Sequence, residues 1–165
     1  MSICPVRFLT DCRKKDSYKS NLGDGFLIRL REGKLINRIV QQFIITKKYP
    51  GLLLSHRFAF DQTFSRDTST EFRLRYRLSS EIPLNGQSVD AREFYIKLSN
   101  EYLNSFQRDN YDLEIRLSPF LGYELKDSQK LELGLDFRIN SFLNGSPASR
   151  FWIGFNWYQS FSSSV

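Results

Sequence analysis

The chain has 165 residues, enough for one domain that closes a single barrel or sandwich. Aromatic residues make up 15% and charged residues 25% of the chain, and no apolar run approaches the roughly 18 residues that a transmembrane helix needs. The net charge is +6, but the lysines lie in the N-terminal segment and at strand ends rather than in one basic stripe, which argues against a nucleic-acid partner.

The first 24 residues are expected to form an irregular polar segment, followed by a β-barrel domain over residues 25–161 and a C-terminal tail over 162–165. Alternation of apolar and polar residues with a period of two runs through the domain and predicts strands. The eight predicted strands are Phe26–Arg31, Leu35–Lys47, Leu52–Phe64, Glu71–Ile82, Arg92–Asn104, Tyr111–Tyr123, Lys130–Phe142 and Arg150–Phe161. Turn residues separate them, so the fold class is all-β: an antiparallel up-and-down meander that closes, or partly closes, into a barrel of about eight strands, of the membrane type.

The polar positions of the alternation carry a near-balanced set of charges, seven basic and six acidic. Six of the seven basic residues are arginine, whose planar fork pairs with carboxylates in a crowded interior. We expect this set to form a polar network in the lumen of the barrel. Its members are Arg57, Asp61, Arg73, Arg75, Arg77, Glu93, Lys97, Glu101, Glu114, Arg116, Glu132, Asp136 and Arg138.

The apolar positions are expected to face lipid. They are Phe72, Leu74, Tyr76, Leu78, Leu113, Ile115, Leu117, Leu131, Leu133, Leu135, Phe137, Phe151, Ile153, Phe155 and Trp157. The alternation, or parity, of positions along a strand does not by itself say which face is outside. A soluble lipocalin-like barrel would turn the same residues inward around an apolar ligand. Runs of 12–13 residues suit a tilted membrane strand. Aromatic residues near strand ends also suit interfacial girdles; these are Tyr49, Tyr123, Phe142, Phe151, Trp157 and Phe161.

Candidate chemistry is sparse. His56 is the single histidine, so a site of several histidines on one metal is excluded, and no cofactor is expected. We interpret His56 as an interfacial residue on the apolar face; a lipid-modifying barrel enzyme that uses it is a weaker alternative. The arginines at 73, 75 and 77 could bind an acidic ligand or line a pore. We favour a structural role in which they pair with Glu93, Glu101 and Glu114.

Several stretches are similar to a known bacterial family. They include Asn37-Arg38 with Gln41-Gln42, His56–Phe58 with Asp61–Phe64, Phe72–Leu78, Glu93–Tyr95 with Leu98–Tyr102, and Leu131–Phe137. Over residues 23–161 the chain resembles the family catalogued as domain of unknown function 2490. The resemblance implies an exported outer-membrane barrel of Gram-negative bacteria with no assigned activity. Members carry a signal peptide, so Met1–Asn21 indicates truncation at the N-terminus relative to the family.

The combined expectation is a non-enzymatic outer-membrane barrel, serving as a structural envelope protein or a narrow, porin-like pore. Its expected partners are membrane lipid, the machinery that assembles outer-membrane barrels, and another envelope protein. No sequence feature points to a solute or a substrate.

Overall fold

The computed structural model describes residues 6–13, 18–31, 34–66, 68–126, 128–143 and 146–160, with side chains described from residue 19 onward except at 31 and 34. These residues form nine strands. They are β1 (Val6–Arg13), β2 (Tyr18–Arg31), β3 (Lys34–Tyr49), β4 (Leu52–Ser65), β5 (Glu71–Pro83), β6 (Phe94–Gln107), β7 (Asn110–Lys126), β8 (Gln129–Asn140) and β9 (Ala148–Gln159). In this part of the chain no helix is long and apolar enough to span a membrane.

Every strand pairs antiparallel with its neighbours in the chain, in the order β1 to β9. Short connections such as Pro50-Gly51 favour this meander, since Gly51 has a φ of 72° that few other residues adopt. Among the described residues β1 and β9 do not pair with each other, so the sheet is a half-barrel with two edge strands.

The predicted all-β, up-and-down fold is confirmed, and the eight predicted strands correspond to β2–β9. The prediction of an irregular segment over residues 1–24 is wrong, because β1 and the first part of β2 lie there. Gly23, Asp24 and Gly25, at the end of the predicted irregular segment, pair in register with Gln42, Gln41 and Val40 of β3, respectively. The predicted tail over 162–165 and Phe161 lie outside the described residues.

The sheet is strongly curved. The ammonium of Lys130 on β8 lies 3.6 Å from a carboxylate oxygen of Glu81 on β5, and the ammonium of Lys97 on β6 lies 5.2 Å from the ring centre of Tyr158 on β9. Strands three apart in a flat sheet would be about 14 Å apart. These contacts therefore define one face of the sheet as concave.

Burial differs sharply between the two faces. On the concave face Asp61 is completely buried, and Glu101 and Glu132 are each 2% exposed. On the convex face Leu117 is 47% exposed and Ile153 is 75% exposed. The fold therefore buries carboxylates and exposes aliphatic side chains, which is the reverse of a soluble domain.

Aromatic rings packed on glycines fill one end of the concave face. A Cβ added to Gly122 would lie 2.1 Å from Cζ of Tyr95, and one added to Gly134 or Gly154 would lie within about 3 Å of the Phe120 side chain. The missing side chains leave the space that these two rings occupy. Gly134 and Gly154 therefore make room for the Phe120 ring on the concave face.

Candidate functional site

The candidate site is the charged concave wall, where strand register aligns side chains into rows. Directly paired residues of antiparallel strands point to the same face, so consecutive pairings extend a row across the sheet. One row, here called the arginine row, consists of Arg57, Arg77, Glu101, Arg116, Arg138 and Arg150 on β4–β9. The adjacent hydroxyl row consists of Thr46, Ser55, Ser79, Ser99 and Ser118 on β3–β7.

Two buried carboxylates organise the arginines of β5. Asp61 accepts a close hydrogen bond from Nη2 of Arg75 and lies 3.8 Å from Nε of Arg73. Glu101 accepts from Nε of Arg77 at 2.5 Å and lies 3.8 Å from Nη1 of Arg75. Each carboxylate thus lies within ion-pair distance of two guanidinium groups, and Arg75 is shared by both carboxylates. These contacts make burial of the two carboxylates tolerable.

A third buried carboxylate, Glu132, ties β6, β8 and β9 together. Its Oε1 accepts hydrogen bonds from the hydroxyl of Tyr95 at 3.0 Å and from the ammonium of Lys97 at 2.7 Å. Its Oε2 accepts from Tyr158 at 3.2 Å and from Asn156 at 3.4 Å. Donors from two other strands therefore satisfy both oxygens of a side chain that is almost fully buried.

Two further charged pairs lie along single strands. Arg116 pairs closely with Glu114, two residues before it on β7, and its Nη1 lies 4.0 Å from Glu101. Nε of Arg138 donates to Asp136 at 2.6 Å, two residues before it on β8. Both pairs remain on the concave face because residues two apart on a strand share a face.

The structure brings twelve of the thirteen predicted network residues together on this wall. Glu93 is the exception, and the prediction for it is wrong. It lies just before β6 in the turn, where its carboxylate accepts hydrogen bonds from the side-chain amide of Asn85 at 2.9 Å and from the backbone N–H of Asp90 at 3.1 Å. The predicted strand begins at Arg92, two residues before β6 begins, and so includes part of the turn.

The sequence-based set missed polar residues on β3. It also missed Asn156 and Tyr158 on β9, which donate to Glu132. Arg38 donates to Thr63 at 3.0 Å, and Gln42, which is buried, accepts from Nε of Arg57 at 3.1 Å. On β3 the concave positions mix these residues with Val40 and others that are apolar, so the strand shows no clean alternation. Strand pairing would have identified them. It places Gln42 opposite Ala59 on β4, and Ala59 is itself opposite Arg75 on β5, so all three share the concave face.

The fifteen predicted apolar residues all occupy the convex face by register. Most are exposed, and those on β9 are the most exposed. Aromatic residues of this face collect near both ends of the strands. One end holds Tyr49, Phe94, Tyr123 and Trp157, and the other holds Phe64, Phe72, Phe106, Tyr111 and Phe151. Phe142 lies just after β8 rather than within it.

His56 lies on the convex face of β4. Its Nδ1 is 2.9 Å from the hydroxyl of Tyr76, and the two rings stack with centroids 6.1 Å apart. Its neighbours in register are Ile45 and Leu78. A general base needs a positioned partner, and here that partner is a phenol within an aliphatic surface. Among the described residues there is no group of three or more side chains that could hold a metal ion.

Fold and site together define an antiparallel half-barrel whose concave wall is charged and whose convex wall is apolar. A family model with the description "Protein of unknown function (DUF2490)" matches residues 19–141, about three quarters of the chain. The chain therefore belongs to this family, as the motifs in its strands indicated. No curated protein and no solved structure matches it.

Proposed function

We propose that this chain forms the wall of an outer-membrane β-barrel, with its convex face against lipid and its charged face toward the lumen. The observation that carries the proposal is the inverted burial on neighbouring positions of one strand. On β5, Leu74 is 52% exposed, whereas the side chain of Arg75 beside it is only 17% exposed. A half-barrel that met water on both faces would expose its leucine to a solvent that disfavours it.

The extent of the apolar face supports contact with lipid. The exposed face of β7–β9 is continuous, since Leu117 pairs with Phe137 and Phe137 pairs with Phe151 in register. Soluble monomers rarely expose contiguous apolar patches larger than a few hundred Å². A bilayer removes the free-energy cost of exposing this patch to water, because its hydrocarbon is as apolar as the side chains.

The spacing of the aromatic residues fits the thickness of a bilayer. Tyr111 and Tyr123 lie on the convex face of β7 near its two ends, twelve residues apart. At about 3.3 Å per residue they are about 40 Å apart along the strand. With the tilt of about 35–45° that is usual for membrane barrels, the separation along the bilayer normal is about 28–33 Å, close to the hydrocarbon thickness of about 30 Å.

The alternative of a soluble barrel around an apolar ligand requires the opposite arrangement. An apolar ligand inside this half-barrel would meet Asp61, Arg75 and Glu101 on the concave wall. This wall would offer such a ligand charged groups in place of an apolar lining. The apolar residues that could contact the ligand lie on the convex face instead, so the membrane orientation is the one that we favour.

The proposed role is structural, or that of a narrow pore, and is not enzymatic. Buried side chains occupy the concave wall, among them Tyr95, Leu103 and the three carboxylates. Small barrels have room for little more than side chains. The proposed partners are membrane lipid, the outer-membrane assembly machinery and another envelope protein.

Two arginine substitutions of leucines with similar exposure test the proposal. Leu117 is 47% exposed midway between the two tyrosines of β7, and Leu84 is 55% exposed in the turn after β5. In lipid vesicles we expect Leu117→Arg to lower the free energy of unfolding by about 2–4 kcal/mol, the cost of an arginine near the bilayer midplane. The matched control Leu84→Arg should change it by less than about 1 kcal/mol. Folding is followed by the heat-sensitive mobility of the compact form on a gel.

In detergent-free buffer the wild-type chain should give no compact, monomeric β-protein. A soluble monomer in that buffer would contradict the proposal. So would equal tolerance of both arginine variants in vesicles, because exposure alone would then govern both positions.

A further inference from the structure

The structure contains a positively charged cavity that the structural role does not require. It has a volume of about 240 Å³ and opens on the concave face between β4, β5 and β6. Three cations, one carboxylate and two serines of the hydroxyl row line it, together with Ile44, Leu53 and Ser80. The charged and hydroxyl-row residues are Arg57, Arg77, Lys97, Glu81, Ser55 and Ser79.

The charges in the cavity do not balance. Lys97 is paired with Glu132, and Glu81 lies 3.6 Å from Lys130 outside the cavity. Arg77 pairs with Glu101 through Nε and Nη2, which leaves Nη1 without a bond to this carboxylate. Among the described residues, no carboxylate lies within 4.0 Å of the Arg57 guanidinium, whose hydrogen-bond acceptor is the neutral amide oxygen of Gln42.

The register makes this surplus of positive charge costly. Arg57 and Arg77 are direct partners across β4 and β5 on the same face. Like charges directly opposite one another destabilise a sheet. An anion held between them would convert the repulsion into attraction, and each guanidinium can present two parallel N–H donors to an oxyanion.

The hydroxyl row adds donors beside the two arginines. Ser55 is hydrogen bonded to Thr46 at 3.1 Å, and Ser79 is hydrogen bonded to Ser99 at 2.9 Å. In each pair one hydroxyl can accept from the other and so direct its own proton toward the cavity. The cavity therefore combines N–H and O–H donors around a space that suits one oxyanion group with a small substituent.

We propose that this cavity binds the phosphate or carboxylate group of a small acidic molecule, held between Arg57 and Arg77 with the serine hydroxyls as additional donors. The site depends on the concave wall alone. It goes beyond the proposed envelope role and does not require the convex face to meet lipid.

Calorimetric titration of the full chain, folded in detergent micelles at low ionic strength, tests the proposal. The probes are inorganic phosphate and citrate, in separate titrations. We expect one saturable site for at least one probe. Tighter binding of phosphate would indicate a phosphate group as the natural ligand, and tighter binding of citrate would indicate a carboxylate.

The Arg57→Gln variant should weaken binding of the preferred probe at least tenfold. Arg150→Gln is the matched control, because Arg150 belongs to the same arginine row but is exposed on β9 outside the cavity. It removes the same charge and should change the affinity less than twofold. The Arg57→Lys variant keeps the charge and removes the planar fork, so a tenfold loss with Lys would assign binding to paired N–H donors.

Two results would overturn the proposal: no saturable binding of either probe to folded wild-type protein, or equal loss of affinity in the Arg57 and Arg150 variants. Folding of each sample is verified by circular dichroism and by heat-sensitive gel mobility. If Arg57→Gln does not fold, Arg57→Lys and Ser79→Ala replace it, and unchanged affinity in both would also overturn the proposal. A failure of the lipid test leaves this measurement valid, because the same titration is then run on the chain folded in buffer.

Discussion

The two faces of β5–β8 are built by the same strands, yet they satisfy their side chains in opposite ways. On the concave face, carboxylates such as Glu101 and Glu132 are nearly buried and depend on specific donors from other strands. On the convex face, residues such as Leu117 and Leu133 are about half exposed. The stability of the concave face depends on contacts within the protein, whereas the stability of the convex face depends on the surrounding medium.

Substitutions on the two faces should therefore respond differently to the medium. A change on the concave face breaks contacts that are present in any solvent, so its cost in stability should appear in detergent and in lipid alike. A change on the convex face should cost little stability until lipid covers that face. Three substitutions, in order of decreasing effect, test this difference.

Replacing Glu132 by Gln should give the largest effect. The substitution leaves the ammonium of Lys97 without its carboxylate partner at 2.7 Å, in a place where the side chain of Lys97 is 27% exposed. We expect the free energy of unfolding to fall by about 3 kcal/mol, at the lower end of the range for a broken buried pair, because some water reaches the lysine. Urea unfolding in detergent micelles and in vesicles measures the change.

The control for this substitution is Glu71→Gln, which affects a looser pair. Glu71 lies 3.8 Å from Arg73 and its side chain is 28% exposed. Exposed pairs contribute about 0–1 kcal/mol. If both glutamine variants lose the same stability, burial does not distinguish the two carboxylates and the description of the concave face is wrong.

Replacing Gly122 by Ala should give an intermediate effect. The new Cβ would lie 2.1 Å from Cζ of Tyr95, whose ring is fully buried and held by its bond to Glu132. Overpacking of this kind costs about 1–3 kcal/mol. Gly25→Ala is the matched control, since its new Cβ would be 3.9 Å from the nearest atom, Cβ of Val40.

The expected order in thermal unfolding is therefore a lowered midpoint for Gly122→Ala and an unchanged or slightly raised one for Gly25→Ala. Alanine reduces the conformational entropy of the unfolded chain, which favours the control variant. Equal midpoints would mean that Tyr95 moves away at no cost, and the ring would then not be fixed by Glu132.

Replacing Tyr76 by Phe on the convex face should give the smallest effect. The substitution removes the hydroxyl 2.9 Å from Nδ1 of His56 and leaves the ring in place. We expect a loss of about 0.5–1.5 kcal/mol in vesicles and less in detergent, because water near the surface can replace the hydroxyl. Tyr102→Phe, at the paired position on β6, is the control. A larger loss for Tyr102→Phe would show that the bond to His56 has no special weight.

Much of the fold followed from local patterns. The alternation in Phe72–Leu78 and in Leu131–Phe137 was strong enough to predict the strands and to separate the two faces. It failed where the pattern weakened. Ser20 and Asn21 in β2 carry no apolar signal, and their strand is defined by pairing with β3. Glu93 has the parity of a concave strand position but lies just before β6, where its carboxylate binds Asn85 and the backbone of Asp90. The alternation carries no sign of those turn contacts.

The sequence predicted which residues make up the charged wall, but it did not predict which of them contact one another. Parity placed Glu132 and Lys97 on one face, but nothing local indicates that residues of β6 and β8 meet. That contact requires curvature, and curvature comes from the twist of the whole sheet and from glycines such as Gly122 that admit a ring. The cavity at Arg57 is likewise a product of register between β4 and β5.

The residue pattern alone establishes which residues share a face, because a strand repeats every two residues whatever its surroundings. It also establishes the balance of charges on one face and the apolar character of the other. Three properties come from the folded sheet instead: which face is concave, which carboxylate meets which cation, and the lack of an acidic partner for Arg57 among the described residues. Those properties depend on distances between strands far apart in the chain, and a local period carries no record of such distances.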